Sequence, residues 1–319
     1  MPDSQAAPRP TPLDPAKFRD ARVTADGSPR AAVALKRLET LWFNTGTLCN
    51  IECANCYIES SPTNDRLAYL TLADAKAKLD EIRGEGLDVR EIGFTGGEPF
   101  MNPDIVAMLA MALDRGFEVL VLTNAMRPMQ KHLAALKGLA AAYGERLTLR
   151  ISMDHYTPAL HETERGPRTW APTLTGAKLL ARAGVSISVA GRLCWEESEA
   201  DARAGFADLF RETGLPVDAG DPARLTLFPE MDERADTPEI TEACWGILDT
   251  SPDAVMCASS RMVVRRKGAA AASVVACTLI PYDAAFDLGP TLAGAAGAVP
   301  LNHPHCARFC VLGGASCSG

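Results

Sequence analysis

Short apolar runs alternate with amphipathic stretches along roughly the first 230 residues of the chain. Apolar runs of this length are typical of buried parallel strands, and stretches with a period near 3.6 are typical of helices that pack on a sheet. We predict strands at residues 38–44, 89–94, 118–123, 147–153, 185–189 and 224–228. We predict helices at residues 71–83, 103–115, 128–143, 172–183 and 197–213.

Strands that alternate with helices predict an α/β fold, in which helices cover a parallel sheet. Thr71 and Asp74 are spaced like a capping box at the start of the first helix. Six strand–helix units fall short of the eight in a closed barrel, so the pattern leaves open a partial barrel and a doubly wound sheet. In both folds, ligands bind where the strands end.

The pattern changes near residue 232, where helical periodicity fades and cysteines, glycines and short β-prone runs become common. We therefore predict three parts: an N-terminal arm at 1–37, disordered or extended, a core at 38–232 and a Cys-rich domain at 233–319. The last part is too irregular to build a large apolar core of its own, so we expect bound metal to organise it.

Composition narrows the classes of function. The 319 residues are 47% hydrophobic and 23% charged, as in an ordinary soluble domain. A net charge of −8 excludes bulk electrostatic affinity for nucleic acid or an anionic membrane. No run approaches the roughly 18 apolar residues of a membrane span, and the N-terminus lacks an apolar signal segment. We therefore expect a cytoplasmic protein without nucleic-acid or membrane partners, whose ten cysteines stay reduced.

Eight of the ten cysteines fall in two groups, which packing alone does not explain. One group follows the first predicted strand and the other lies near the C-terminus: Cys49, Cys53 and Cys56, then Cys257, Cys277, Cys306, Cys310 and Cys317. Cys194 and Cys244 stand alone, and we interpret them as packing residues.

The first group has the spacing C-x3-C-x2-C. Structural zinc usually takes four ligands in paired short spacings, whereas an iron–sulfur cube held by three thiolates keeps one iron without a protein ligand. Such an iron is suited to binding and activating a small molecule.

This spacing, followed by the aromatic Tyr57, resembles the cluster-binding loop of the radical S-adenosylmethionine (SAM) superfamily. The stretch Gly96-Gly97-Glu98-Pro99, after the second predicted strand, resembles a second motif of that family. The resemblance implies a partial (β/α)6 TIM-like barrel, a [4Fe–4S] cluster on the three cysteines, and SAM bound to the open iron. It also implies that the glycine motif contacts the SAM amino group. In this family, one electron from the reduced cluster cleaves SAM, and a 5′-deoxyadenosyl radical forms.

Polar residues also follow the later strands. The stretch from Ser152 to Gly166 is similar to a pattern in family members that carry C-terminal clusters. The cofactor-binding set implied by the resemblance is Tyr57, Gly96, Gly97, Glu98, Asn124, Ser152, Asp154, Arg165 and Arg192. Within it, Ser152 and Asp154 are expected near the ribose, and Arg165 or Arg192 at the SAM carboxylate. His155 and His161 are either bases or, as we favour, capping and surface residues.

The C-terminal cysteines resemble the SPASM and twitch extensions of the same family, which hold auxiliary iron–sulfur clusters. Five cysteines instead of about seven imply one auxiliary cluster, held by four of the five or by three with an open iron. His303 and His305 are possible substitute ligands, and zinc is the alternative metal. The basic run of Arg261, Arg265, Arg266 and Lys267 is either the solvated face of a hairpin or a grip on an anionic substrate.

These features predict a radical SAM enzyme that acts on a peptide, or on a small molecule in cofactor biosynthesis. It would receive electrons from a donor of the flavodoxin or ferredoxin type. The alternative is a non-catalytic iron–sulfur electron carrier or redox sensor.

Overall fold

The predicted strands assemble into one sheet in the computed structural model, which describes residues 11–317. The strands are β1 (Ala32–Val33), β2 (Thr40–Asn44), β3 (Glu91–Thr95), β4 (Glu118–Thr123), β5 (Leu147–Ser152), β6 (Ser186–Leu193), β7 (Leu225–Pro229), β8 (Ser260–Val264), β9 (Ser273–Val275) and β10 (Val299–Pro300). The α-helices are α1 (Leu72–Glu85), α2 (Ile105–Asp114), α3 (Arg127–Gln130), α4 (Leu133–Tyr143), α5 (Pro158–Arg165), α6 (Trp170–Arg182), α7 (Glu199–Thr213) and α8 (Cys244–Ile247).

The eight-stranded sheet has the order β7-β6-β5-β4-β3-β2-β8-β9. Strands β2 to β7 pair in chain order and are all parallel. A doubly wound sheet reverses its strand order at a switch point, and no reversal occurs between β2 and β7. Among the described strands, the outer strands β7 and β9 do not pair with each other. The partial, unclosed barrel is therefore confirmed.

Strand alternation separates two apolar clusters. In β2, Leu41 and Phe43 belong to the cluster shared with the outer helices, whereas Trp42 belongs to a cluster shared with the C-terminal segment. Gly93 lies opposite Trp42 in β3. A Cβ on Gly93 would come within 2.4 Å of the indole, so the glycine leaves room for Trp42.

The local predictions are largely confirmed. The capping box of Thr71 and Asp74 is present at the start of α1. The helix predicted at 128–143 is instead two helices, α3 and α4, and α5 was not predicted.

The chain after residue 232 returns to the barrel. Strand β8 pairs with β2 in parallel, and β9 pairs with β8 in antiparallel fashion. This return adds two strands to the six predicted ones.

Over residues 11–37 the N-terminal arm, predicted to be disordered or extended, forms turns, isolated β-bridges and the short strand β1; its first ten residues lie outside the described residues. The arm is anchored by the buried Arg30, which pairs with Glu239 and donates to the Leu301 carbonyl. Strand β1 pairs with β10. Within residues 11–317 we find no helix with the length and apolar character that a bilayer crossing requires.

Candidate functional site

The loop after β2 carries Cys49, Cys53 and Cys56 and is here called the cysteine loop. All three residues line one cavity at the carboxyl ends of the strands, the main cavity, which encloses about 1080 Å³ including its open mouth. Two backbone bonds hold the loop: Cys49 N–H donates to the Ser61 carbonyl at 3.0 Å, and Ala54 N–H donates to the Glu164 carbonyl at 2.7 Å.

Burial raises the pKa of Cys49 to about 12 and that of Cys53 to about 11. Without a cation these thiols therefore remain protonated at neutral pH, and metal binding releases their protons. The three thiols come from one loop and line one cavity, and Cys thiolates are the ligands that hold iron–sulfur clusters, so these residues fit such a cluster.

The glycine motif allows the cysteine loop and the loop after β3 to touch through their backbones. A Cβ on Gly97 would come within 2.2 Å of the Leu48 carbonyl oxygen. Gly97 N–H donates to the Gly46 carbonyl at 2.8 Å. Both Gly96 and Gly97 line the main cavity with little beyond backbone, as close approach of a ligand requires.

The carboxylate of Glu98 is buried and does not line the main cavity. It accepts hydrogen bonds from Asn124 N–H and Thr123 Oγ1, each at 2.9 Å, and from Phe100 N–H at 3.2 Å. Burial raises its pKa to about 7 despite these donors. Glu98 was expected among the cofactor-binding residues, but its carboxylate does not line the main cavity and joins the ends of β3 and β4.

The two arginines expected at the SAM carboxylate are already paired. Arg165 Nε lies 2.8 Å from Asp154, and Arg192 Nη1 lies 2.6 Å from Glu164. Asn55 also donates to Glu164, at 3.0 Å. A carboxylate ligand would have to share these guanidinium groups with acidic residues of the protein.

Eight of the nine predicted cofactor-binding residues line the main cavity together with the cysteine loop. They are Tyr57, Gly96, Gly97, Asn124, Ser152, Asp154, Arg165 and Arg192.

Sequence reasoning missed two features of the main cavity. Glu164 lies on α5, one residue before the predicted Arg165, and its role depends on a helix too short and too polar to be recognised from the sequence. An apolar wall was also missed, because its residues come from distant parts of the chain: Leu122, Phe228, Met231, Leu279 and Phe309.

Neither histidine near the site is placed as a base. His155 Nδ1 accepts from Thr157 N–H at 2.9 Å and its Nε2 lies 2.9 Å from Glu197, so both ring nitrogens already have partners. His161 is fully buried, and burial lowers its pKa to about 4. Neither residue lines the main cavity.

Four of the five C-terminal cysteines line a second, smaller cavity of about 320 Å³, here called the thiol cavity: Cys257, Cys277, Cys306 and Cys310. Burial raises the pKa of Cys257 to about 11 and that of Cys306 to about 12. Cys317, the fifth of these cysteines, does not line the thiol cavity. It lines the main cavity and accepts a bond from Thr278 Oγ1 at 3.4 Å.

His305 also lines the thiol cavity, and its Nδ1 has no hydrogen-bond partner among the described residues. His303 does not line it, and its Nδ1 accepts from His305 N–H at 3.1 Å. Of the two suggested substitutes, only His305 faces the thiols.

The cations of the basic run all have partners within the protein. Arg265, Arg266 and Lys267 pair with Asp74, Asp287 and Asp65, respectively. Arg261 is buried and donates to backbone carbonyls, including that of Cys257. None of the four lines the main cavity.

Comparison with known proteins agrees with this geometry. The family model described as "Radical SAM superfamily" matches residues 43–202. The bacteriocin biosynthesis protein AlbA of Bacillus subtilis is 32% identical over 143 residues, which cover 44% of this chain and 30% of AlbA. An S-adenosylmethionine-dependent nucleotide dehydratase of Selenomonas ruminantium is 34% identical over 110 residues, which cover 34% of this chain and 37% of the dehydratase. The chain therefore spans about a third of the length of these relatives.

Solved structures match over more of the chain. Streptococcus suis SuiB bound to S-adenosylmethionine has a TM-score of 0.56 and 13% identity, covering 80% of this chain and 63% of SuiB. The protein anSMEcpe with bound AdoMet has a TM-score of 0.56 and 14% identity, and the match covers 80% of this chain and 79% of anSMEcpe. These matches establish the fold.

The cysteine loop, the glycine motif and the first polar strand ends all lie inside the matched residues. The Cys-rich C-terminal part is consistent with a SPASM or twitch extension. The chain therefore belongs to the radical SAM superfamily.

Proposed function

We propose that this chain is a radical SAM enzyme that binds SAM and its substrate in the main cavity. A [4Fe–4S] cluster and SAM, when bound, supply a 5′-deoxyadenosyl radical that abstracts hydrogen from the substrate. The observation that carries the proposal is the convergence of the cysteine loop, the glycine motif and an apolar wall on one cavity.

The residues of this chain have separate tasks in the proposal. Cys49, Cys53 and Cys56 would each bind one iron of a [4Fe–4S] cluster, which would leave the fourth iron for SAM. The backbone at Gly96 and Gly97 admits the methionine part of SAM. The apolar wall around Phe309 excludes water and competing hydrogen donors, so that the radical meets only the substrate.

The charge of the main cavity favours an uncharged substrate group, and we propose a side chain of a peptide. The arginines among its lining residues, Arg165 and Arg192, are both paired with carboxylates. A nucleoside triphosphate, or a tetrapyrrole with several carboxylates, would find no unpaired cationic side chain among these arginines. The names of the relatives divide between bacteriocin biosynthesis and haem or nucleotide chemistry, and the charge of the cavity favours the peptide.

The experiment is anaerobic reconstitution with iron and sulfide, followed by dithionite and SAM, with 5′-deoxyadenosine as the readout. We expect the wild-type protein to form it and Cys53→Ala to lose it. Cys194→Ala is the matched control, because Cys194 lines neither cavity. Full iron content without 5′-deoxyadenosine would instead support the electron carrier.

Substrate class is tested in the same assay. We expect short peptides with apolar side chains to stimulate SAM cleavage, and GTP or coproporphyrin to leave it unchanged. Stimulation by either small molecule would contradict the peptide proposal without affecting the family assignment.

A further inference from the structure

Three side chains of metal-ligating types meet beside the thiol cavity and are here called the histidine–glutamate cluster: Glu233, His303 and His305. One nitrogen of each imidazole and one carboxylate oxygen lie within 4.8 Å of one another. His303 Nε2 and His305 Nε2 are each 3.7 Å from Glu233 Oε2. That distance is too long for a hydrogen bond, so the three groups converge without bonding to one another.

The histidine–glutamate cluster has a buried side and an open side. The side chains of His305 and His303 are 3% and 18% exposed, whereas that of Glu233 is 58% exposed. Within residues 11–317, Glu233 has no ionic partner other than these two histidines. Two imidazoles on the protein side and one carboxylate on the solvent side therefore leave an approach from solvent for an ion.

The backbone holds the two halves of the cluster near each other. Pro304 lies between the two histidines and restricts the backbone of His303 before it. Arg308 of the same segment donates to the Asp236 carbonyl at 3.0 Å and to Thr237 Oγ1 at 2.6 Å. The C-terminal segment and the loop after β7 are thus already joined next to the cluster, so binding an ion there requires little ordering of the chain.

We propose that the histidine–glutamate cluster binds one divalent transition-metal ion, zinc, separately from the two groups of cysteines. Two imidazoles and one carboxylate form a known zinc donor set, with a water molecule in the fourth position. Tetrahedral zinc with bonds of about 2.0–2.1 Å holds its ligand atoms about 3.4 Å apart. A small shift of the exposed Glu233 side chain brings its carboxylate to that distance. The same donors bind iron(II) more weakly than zinc.

Zinc binding moves one ring proton. His303 Nδ1 accepts from His305 N–H at 3.1 Å, so without zinc the ring proton of His303 lies on Nε2 and faces Glu233. Zinc on Nε2 shifts this proton to Nδ1, and that hydrogen bond is lost. Three zinc bonds stabilise the site by more than one hydrogen bond does.

The second imidazole has a nitrogen that fits the same arrangement. His305 Nδ1 has no hydrogen-bond partner in the described part of the chain. Zinc-bound histidines donate their other ring N–H to an acceptor. His305 also lines the thiol cavity, whose sulfurs can act as acceptors.

The proposed ion would fasten one wall of the main cavity. Met231 precedes Glu233 by two residues, Phe309 follows His305 by four, and both Met231 and Phe309 belong to the apolar wall. Zinc would therefore cross-link the two segments that carry these side chains. Its role is structural, since none of its three ligands lines the main cavity.

The test places zinc on the reconstituted enzyme, after iron and sulfide have been added to the cysteines. Excess zinc is removed by gel filtration, and X-ray absorption at the zinc edge identifies the ligand atoms. We expect one zinc per chain, with nitrogen and oxygen neighbours at about 2.0–2.1 Å and no sulfur at about 2.3 Å.

Variants then locate the ion. Glu233→Gln and His303→Ala each remove one ligand, and His132→Ala is the matched control, because His132 precedes α4 and lines neither the main cavity nor the thiol cavity. Competition with a coloured chelator measures zinc affinity. We expect a loss of about a hundredfold or more in the two ligand variants, which keep only two protein ligands, and a change within about twofold in the control. Iron content should be equal in all four proteins.

Sulfur neighbours at about 2.3 Å would place the zinc on the thiols and overturn the proposal. Equal zinc affinity in Glu233→Gln and His132→Ala would also overturn it. If His303→Ala lost iron, the comparison would use Glu233→Gln, whose side chain is at the surface. Zinc held by nitrogen and oxygen in an enzyme that never cleaved SAM would support the zinc site, while the proposed function would fail.

Discussion

Glu98 illustrates how one buried side chain sets the geometry of the site. Its carboxylate joins the loops after β3 and β4, so the glycine motif and Asn124 keep a fixed spacing. Because its pKa in the folded chain is raised to about 7, above an ordinary value of 4.5, the folded state favours the protonated acid. Its contribution to stability is complete below pH 4.5 and is lost as the pH rises to about 7.

We therefore predict that the cluster-free protein loses unfolding free energy between pH 4.5 and 7, by about 3 kcal/mol from this residue. Urea unfolding at several pH values measures it. Glu98→Gln should flatten that part of the profile, since the amide does not ionise. An identical pH profile in the variant would show that Glu98 does not titrate in this range.

The separation of Cys317 from the thiol cavity gives a second prediction at the same scale. Cys310→Ser should lower the iron content of the reconstituted protein by about one cluster, because Cys310 lines the thiol cavity. Cys317→Ser should leave iron content unchanged, because Cys317 lines the main cavity. Iron and sulfide analysis measures both, and equal losses would return Cys317 to the ligand set.

Among the elements, the eight-residue helix α5 contributes charged side chains to the site. Glu164 near its end pairs with Arg192 of β6, and the two side chains are 9% and 8% exposed. Without Glu164, the buried Arg192 would keep only the weaker pair with Glu230, at 3.3 Å and with a Glu230 side chain that is 41% exposed.

We predict that Glu164→Gln lowers the unfolding free energy by about 3 kcal/mol. The matched control is Asp208→Asn, which breaks the exposed pair with Arg211 on α7 and should cost less than about 1 kcal/mol. Denaturant unfolding of both variants measures the difference. Equal effects would mean that solvent reaches the Glu164 pair as easily as the surface pair.

The elements also show why prediction from sequence was uneven. The six central strands can be recognised in the sequence as apolar runs, and β4 begins and ends at the predicted residues. Helix α5 has the sequence PALHETER, which is too short and too polar for a periodic signal. The cysteine loop and glycine motif could be found because their residues are adjacent in sequence. The direction of the Glu98 side chain could not, since it depends on donors at residues 123 and 124.

At the scale of the whole molecule, the most important feature is that the C-terminal part of the chain returns to the barrel, where β8 pairs with β2. Thr40 of β2 lies beside Ser260 of β8, although 220 residues separate them in the sequence. No local pattern encodes that pairing. Leu279 and Phe309 of the apolar wall reach the main cavity by the same return, so the wall could not be predicted.

We therefore predict that a chain ending after residue 232 does not fold cooperatively. It would lose β8 and expose the edge of β2, together with the buried Trp42. Thermal unfolding and dye binding, compared with the full chain, measure this. A fragment that unfolds cooperatively would make residues 233–319 a separable domain, as the change in sequence pattern suggested.

The enclosure of the four thiols bears on how the protein matures. Cys257, Cys277 and Cys306 are each less than 10% exposed, and fifty-three residues separate the first of the four from Cys310. Iron and sulfide could reach these thiols in the fully folded chain only if the structure around the thiol cavity opened. We expect an iron–sulfur cluster at these four thiols to assemble before the C-terminal segment has finished folding. Cluster assembly and the last step of folding would then occur together.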